Sequence, residues 1–119
     1  MRENILKNKS FNFALDVIKI YKQIIKQERE YVLSKQFLRS GTSVGALVRE
    51  AEFAQSKADF ISKLSIALKE ANETEYWIEL LVKSDYLDRN KAQNLLSTNK
   101  EIISMLVASV KTTKNTIGK

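Results

Sequence analysis

Cysteine and histidine are both absent from the 119 residues. Without cysteine there is no disulfide and no thiolate for nucleophilic or metal chemistry. Without histidine the commonest general base, metal ligand and near-neutral pH switch are missing together. The inventory points to a protein that is not an enzyme and carries no metal or cofactor. Proline is absent too, and there are only three glycines, so almost nothing interrupts a helical backbone ladder. No apolar run approaches the ~18 residues of a membrane span, and the opening MRENILKNKS lacks the apolar stretch of a signal peptide. The expectation is a soluble, cytoplasmic protein with no place in a membrane.

What is present is Leu, Ile, Ala, Lys and Glu, with 44% hydrophobic residues, enough for one ordinary core over residues 1–119. The fold class that follows is all-α. The net charge is +6 but unevenly spread: +3 over residues 1–31, +1 over 32–56, −2 over 57–87 and +4 over 88–119. The outer helices should be basic and the third acidic, a balance suited to nucleic acid or an acidic partner.

Residues 1–9 and 115–119 are polar and read as frayed ends, with Ser10 as the first N-cap. Helix one then carries Phe13, Val17, Ile20 and Ile24 on one face, to about Glu28. Lys19, Lys22, Lys26 and Arg29 form a separate, wholly basic row. They read as a phosphate-tracking stripe or as an ordinary solvated face. Ser34 is the expected cap of helix two, whose inward row is Phe37, Gly41, Val44, Val48 and Ala51. Ser56 with Asp59 resembles a capping box and starts helix three near Lys57. That helix has the row Phe60, Leu64, Ala67, Ala71, Thr74, Ile78 and Leu81. Asp88 caps helix four, with Ala92, Leu96, Asn99, Ile103, Leu106, Val110 and Thr113 in register. Four helices on short links imply an antiparallel up-down-up-down bundle. Ile18, Ile25, Ile102 and Met105 exceed what a lone bundle needs, and self-association is the natural inference.

A glycine inside a helix costs roughly 1 kcal/mol relative to alanine. Two of them one turn apart, Gly41 and Gly45, point to a neighbouring helix at close range. Folding the chain back about position 56 sets Gly41 against Ala71, Gly45 against Ala67 and Arg39 beside Glu73. A second row on helix three, Ile66, Glu70, Glu73, Trp77 and Leu80, places carboxylates between large apolar residues. Arg39 is their natural partner, and losing it from a buried pair would cost about 3–5 kcal/mol. The expected structural seam is therefore Arg39, Gly41, Gly45, Ala67, Glu70, Ala71, Glu73 and Trp77.

Two motifs fail on context and a third stays open. Gly41-Thr42-Ser43-Val44-Gly45 fits G-x-S-x-G, but a nucleophile elbow needs a strand-to-helix turn and a histidine. Glu70, Glu73, Glu75 and Glu79 resemble the carboxylates of di-metal bundles, which also require Glu-x-x-His pairs. Tyr76-Trp77 could stack on bases, but aromatics at helical spacing more often serve a core or an interface.

The segments RSGTSVGA-VREA and SKADFISKLSIALKEANETEYWIELL closely resemble the four-helix-bundle family encoded in intervening sequences of bacterial large-subunit rRNA genes, often labelled a ribosomal protein. Arg39-Ser40, Thr42-Ser43, Glu50-Ala51, Asp59-Phe60, Ile66-Ala67, Glu70-Ala71 and Glu73-Thr74-Glu75-Tyr76-Trp77 match its pattern. Leu47 departs from it, standing where the family usually has asparagine. The resemblance implies a homo-oligomeric ring, typically a pentamer, without catalytic residues. It also implies kinship with the accessory protein of diversity-generating retroelements, which binds nucleic acid and a reverse transcriptase. The expected function is thus a basic scaffold binding RNA or DNA without sequence preference through Lys19, Lys22, Lys26 and Arg29, with Lys111 and Lys114 in support. The alternative is a scaffold for a protein partner such as a polymerase, reverse transcriptase or RNA-processing factor.

Overall fold

Four helices account for the chain: α1 (Arg2–Gln27), α2 (Leu33–Ala51), α3 (Lys57–Lys83) and α4 (Arg89–Ile117). The computed structural model describes residues 2–117, with side chains from 5 to 115, and no strand occurs among the described residues. The helices lie side by side in a rod of 52 × 21 × 21 Å. Neighbours meet with their numbers running in opposite senses. On α1 and α2, Lys7 pairs with Glu52 at 3.0 Å while Val17 lies against Gly41. On α2 and α3, Ser40 meets Thr74 at 2.9 Å and Glu50 meets Lys63 at 3.4 Å. On α1 and α4, Lys9 pairs with Glu101 at 3.0 Å and Gln23 accepts from Lys91 at 3.1 Å.

The apolar rows of the first three helices form the core, from Phe13, Val17, Ile20 and Ile24 through Phe37 and Val44 to Leu64, Ile78 and Leu81, while Phe60 stays half-buried. α4 departs from its expected row. Its buried positions are Ala92, Leu95, Asn99, Ile102 and Leu106, whereas Leu96 and Ile103 are half-buried. Periodicity cannot choose between adjacent apolar residues such as Leu95-Leu96; the neighbours decide. Leu95 lines the groove toward Lys19 and Ile20 of α1, and Leu96 the groove toward Glu75, Glu79 and Val82 of α3. Ile102, expected to be surplus, is fully buried, and Ile18, Ile25 and Met105 are half-buried.

Two caps differ from expectation. α1 begins at Arg2, so residues 2–9 continue the helix, and Ser10 lies buried inside it with its hydroxyl donating to the Lys7 carbonyl. At the other end the helix covers residues 115–117; residues 1, 118 and 119 lie outside the described residues. The start of α2 is capped by Glu30, not Ser34. The Glu30 carboxylate accepts from the backbone N–H groups of Val32, Leu33 and Ser34 at 2.7–3.0 Å, and the buried Ser34 hydroxyl donates to the Glu30 carbonyl. Burial pushes the Glu30 carboxyl up, but those three N–H groups outweigh it and hold the group below its usual value. Ser56 caps α3 by accepting from Asp59 N–H at 3.0 Å, and the Asp59 carboxylate reaches back to the Gln55 N–H. α3 ends in a Schellman turn: Asp85 adopts φ 66°, Tyr86 N–H bonds the Leu81 carbonyl and Asp85 N–H the Val82 carbonyl.

The glycines correct the expected seam. A Cβ at Gly41 would stand 2.8 and 2.9 Å from the two methyls of Val17, and one at Gly45 would stand 3.2 Å from the Ser10 carbonyl oxygen. The close approach is to α1, not to Ala67 and Ala71 of α3. Ser40, next to Gly41, takes the α3 side through its bond to Thr74. Ala67 and Ala71 are fully buried, and the Ala71 carbonyl accepts from the Asn99 amide of α4 at 2.9 Å. Small residues therefore serve separate seams.

Candidate functional site: the charged seam and the basic end

Arg39 leaves α2 toward α3 because it lies about a third of a turn from Ser40, which packs on Thr74. Its Nη1 donates to Glu70 Oε1 at 3.0 Å and its Nη2 to Glu73 Oε1 at 2.7 Å. Gln36 accepts from Arg39 Nε at 3.3 Å, and Trp77 Nε1 donates to the same Glu73 oxygen at 3.2 Å. Burial pushes the Glu73 carboxyl up, yet the Trp77 N–H and the Arg39 guanidinium prevail and hold it below its ordinary value. Glu73 in turn raises Arg39 further, chiefly through their hydrogen bond. Trp77 packs half-buried against the core, with the Tyr76 ring edge-on at 5.0 Å. Leu47 is half-buried against the same core.

The guanidinium is not deeply buried: the Arg39 side chain is 48% exposed, against 13% for Glu70 and 31% for Glu73. Water screens such a pair, so the expected 3–5 kcal/mol for losing Arg39 falls to about 1–2 kcal/mol. The seam joins α2 to α3, and both of its carboxylates are held by Arg39. Among the described residues no three metal-ligating side chains cluster.

The basic row occupies the other part of the surface. Lys19, Lys22 and Lys26 are exposed on α1, and Arg29 lies beyond its end with a left-handed φ of 53°, so the fourth member of the row is carried by the turn. None of the four has a carboxylate within ion-pair distance among the described residues. The bundle adds cations that the helix-by-helix reading missed. Lys91 of α4 reaches Gln23, and Lys19 and Lys91 line one groove with Asn94 and the single acid Asp16. Arg89 stands near Lys91 in a more mixed setting that includes Glu28, Asp85 and Asp88. The signal lay in the pairing of α1 with α4, invisible to either helix alone.

Lys111 and Lys114 are exposed but not part of this group. The α1–α4 pairs set high numbers of α4 beside low numbers of α1, so these lysines sit at the opposite end. At 1.5 Å per residue that is roughly 30 Å or more from Lys26.

The fold and surface define a four-helix all-α protein with a charged α2–α3 seam and a basic row on α1. The model of the 23S rRNA-intervening sequence protein family matches residues 2–108, and the chain belongs to that family. A crystal structure of a protein of unknown function from the S23 ribosomal protein family of Bacteroides thetaiotaomicron is 50% identical to it. The match covers 93% of this chain and 99% of that one, with a TM-score of 0.91. Among curated proteins none matches. No helix of the described residues is long and apolar enough to cross a membrane.

Proposed function

We propose that this protein is a non-enzymatic scaffold of the cytoplasm, an antiparallel up-down-up-down bundle that assembles as a homo-oligomeric ring of five and binds RNA or DNA through backbone phosphates. The observation that carries the reading is the unpaired basic row Lys19, Lys22, Lys26 and Arg29 with Lys91 beside it across the α1–α4 groove. Contacts of this kind follow the phosphates and carry no sequence information. Five copies at +6 each would carry about +30, a strong field for a polyanion. Support for assembly comes from the Phe11–Leu15–Ile18 stripe of α1, where Phe11 and Leu15 are 48% and 50% exposed.

Binding of single- and double-stranded probes should fall with salt at a slope of about −0.7 to −0.9 per phosphate neutralised. Charge reversal at Lys19, Lys22 and Lys26 together should abolish retention at low salt, with helicity and oligomeric mass unchanged. Wild-type protein that fails to bind either polymer at low salt would overturn the nucleic-acid part, and light scattering of a lone monomer would overturn the ring. The apolar stripe also favours a second reading, a scaffold for a polymerase, reverse transcriptase or RNA-processing protein. A partner that survives nuclease treatment in a pull-down would favour it.

A further inference from the structure

The end of the rod opposite the basic row holds the feature that nucleic-acid binding leaves unused. The start of α1, the end of α2, the start of α3 and the end of α4 diverge there around a cavity of about 310 Å³. Its floor is Leu6, Val48, Ala51 and Leu64, each at most 6% exposed, the half-buried Phe60 supplies its open apolar surface, and Ser109 and Thr113 of α4 close one side. Lys7, Glu52, Ser56 and Lys57 stand at the same cavity. Lys7 and Glu52 cancel in their ion pair at 3.0 Å. Lys57 has no carboxylate within ion-pair distance among the described residues, so the uncompensated charge at the cavity is positive. Ala54 of the α2–α3 loop also lines it.

We infer that this end binds a single-chain anionic amphiphile: a medium-length acyl chain among Leu6, Val48, Phe60 and Leu64, with its carboxylate at Lys57. The size is near the lower limit of the roughly 300–1,000 Å³ typical of ligand sites, which suits one short chain and excludes a two-chain lipid. The site is separate from the basic row and does not depend on the nucleic-acid reading.

Titration calorimetry of the full chain with hexanoate, octanoate and decanoate tests it. Affinity should rise about fourfold per methylene, the gain for burying one CH₂, until the cavity is full. Lys57→Glu, on an exposed first-turn residue, should weaken decanoate at least tenfold and leave decanol unchanged. Ser109→Phe, which fills the cavity from a half-buried position, should weaken both. Neither change should alter retention on RNA. The basic row alone should retain the protein on phosphatidylglycerol vesicles at low salt, so the vesicle test is run at the salt that releases RNA; retention there without decanoate binding would replace a free anion by a membrane surface and overturn the inference. Affinity independent of chain length, or decanoate bound equally by wild type and Lys57→Glu, would overturn it as well.

Discussion

The glycine seam allows a test in which the sign of one mutation reverses with its neighbour. Gly41→Ala gains about 1 kcal/mol of helix propensity, which alone would stabilise α2. Against it, the new methyl would lie 2.8 and 2.9 Å from both Val17 methyls, and Val17 is fully buried. A β-branched side chain in a helix has essentially one rotamer, so Val17 cannot swing aside and α1 must move outward by several tenths of an ångström. Overpacking of this kind costs about 1–3 kcal/mol. The net expectation is a loss of up to about 2 kcal/mol, which for a chain of this size lowers Tm by roughly 4 °C per kcal/mol. Val17→Ala destabilises by itself, because it opens a cavity at a buried site. In that background, however, Gly41→Ala meets only the Cβ left at position 17, at 3.3 Å, which a shift of a few tenths of an ångström relieves, so it keeps most of its propensity gain and should stabilise by up to about 1 kcal/mol. Thermal and urea unfolding followed by circular dichroism, at one fixed protein concentration, measures all four corners of the cycle. If Gly41→Ala raises stability in both backgrounds, Val17 does not limit the approach of α1 and the account of the seam is wrong.

Arg39→Ala should cost about 1–2 kcal/mol by urea unfolding, because its side chain is 48% exposed; a loss above 3 kcal/mol would show that the seam is shielded from water in the working assembly. Glu30→Ala removes the cap of three N–H groups from α2 and should cost about 1 kcal/mol. Glu30 and Glu73 both titrate below their ordinary value of 4.5 in the folded chain, so their contribution is full above that pH and is lost as pH falls through the lower folded values. Melting temperature should therefore drop below pH 4.5 and drop less in a Glu30→Gln, Glu73→Gln variant; equal slopes would refute the assignment. Asn99→Leu should not raise the urea midpoint, since the gain from removing the buried Oδ1, unpartnered among the described residues, is offset by losing the 2.9 Å bond from the Asn99 amide to the Ala71 carbonyl and by a larger side chain in a full site; a clear rise would show that the amide contributes nothing.

Legibility of the fold in the sequence follows how many neighbours a residue has. The core face of α1 is clear because Phe13, Val17, Ile20 and Ile24 each follow a polar residue (Asn12, Asp16, Lys19 and Gln23), and all four are buried. On α4 the pairs Leu95-Leu96 and Ile102-Ile103 satisfy two phases equally, and only the presence of α1 on one side and α3 on the other decides between them. The same degeneracy misled the glycines. Gly41 and Ser40 are adjacent, each small enough for a close approach, and folding the chain about one joint considers only α3. The second neighbour, α1, takes the glycine side, where Gly45 meets the Ser10 carbonyl. The Ser56 cap of α3 is legible, but that of α2 is not: a short-range rule selects serine there too, yet Ser34 faces inward while Glu30, outside the helix, is free to reach three N–H groups at once.

The site divides along the same line. Arg39 and Glu73 could be paired from sequence because a cation and a carboxylate at one level of two consecutive helices leave few alternatives, and their ion pair is 2.7 Å long. The basic row is legible as a row, since Lys19, Lys22 and Lys26 recur on one face, but a row is not yet a surface. Two facts turn it into one, and both depend on α4. Lys91 comes alongside through Gln23, and Lys111 and Lys114 are carried to the far end. A polyanion following the first group cannot reach the second on the same protomer without spanning most of the 52 Å rod. Reversing Lys111 and Lys114 should therefore leave the salt slope of RNA binding almost unchanged, whereas reversing Lys91 should reduce it by about one phosphate. Equal effects from the two ends would mean that the ligand tracks the length of the bundle, and the row on α1 with Lys91 would lose its separate standing.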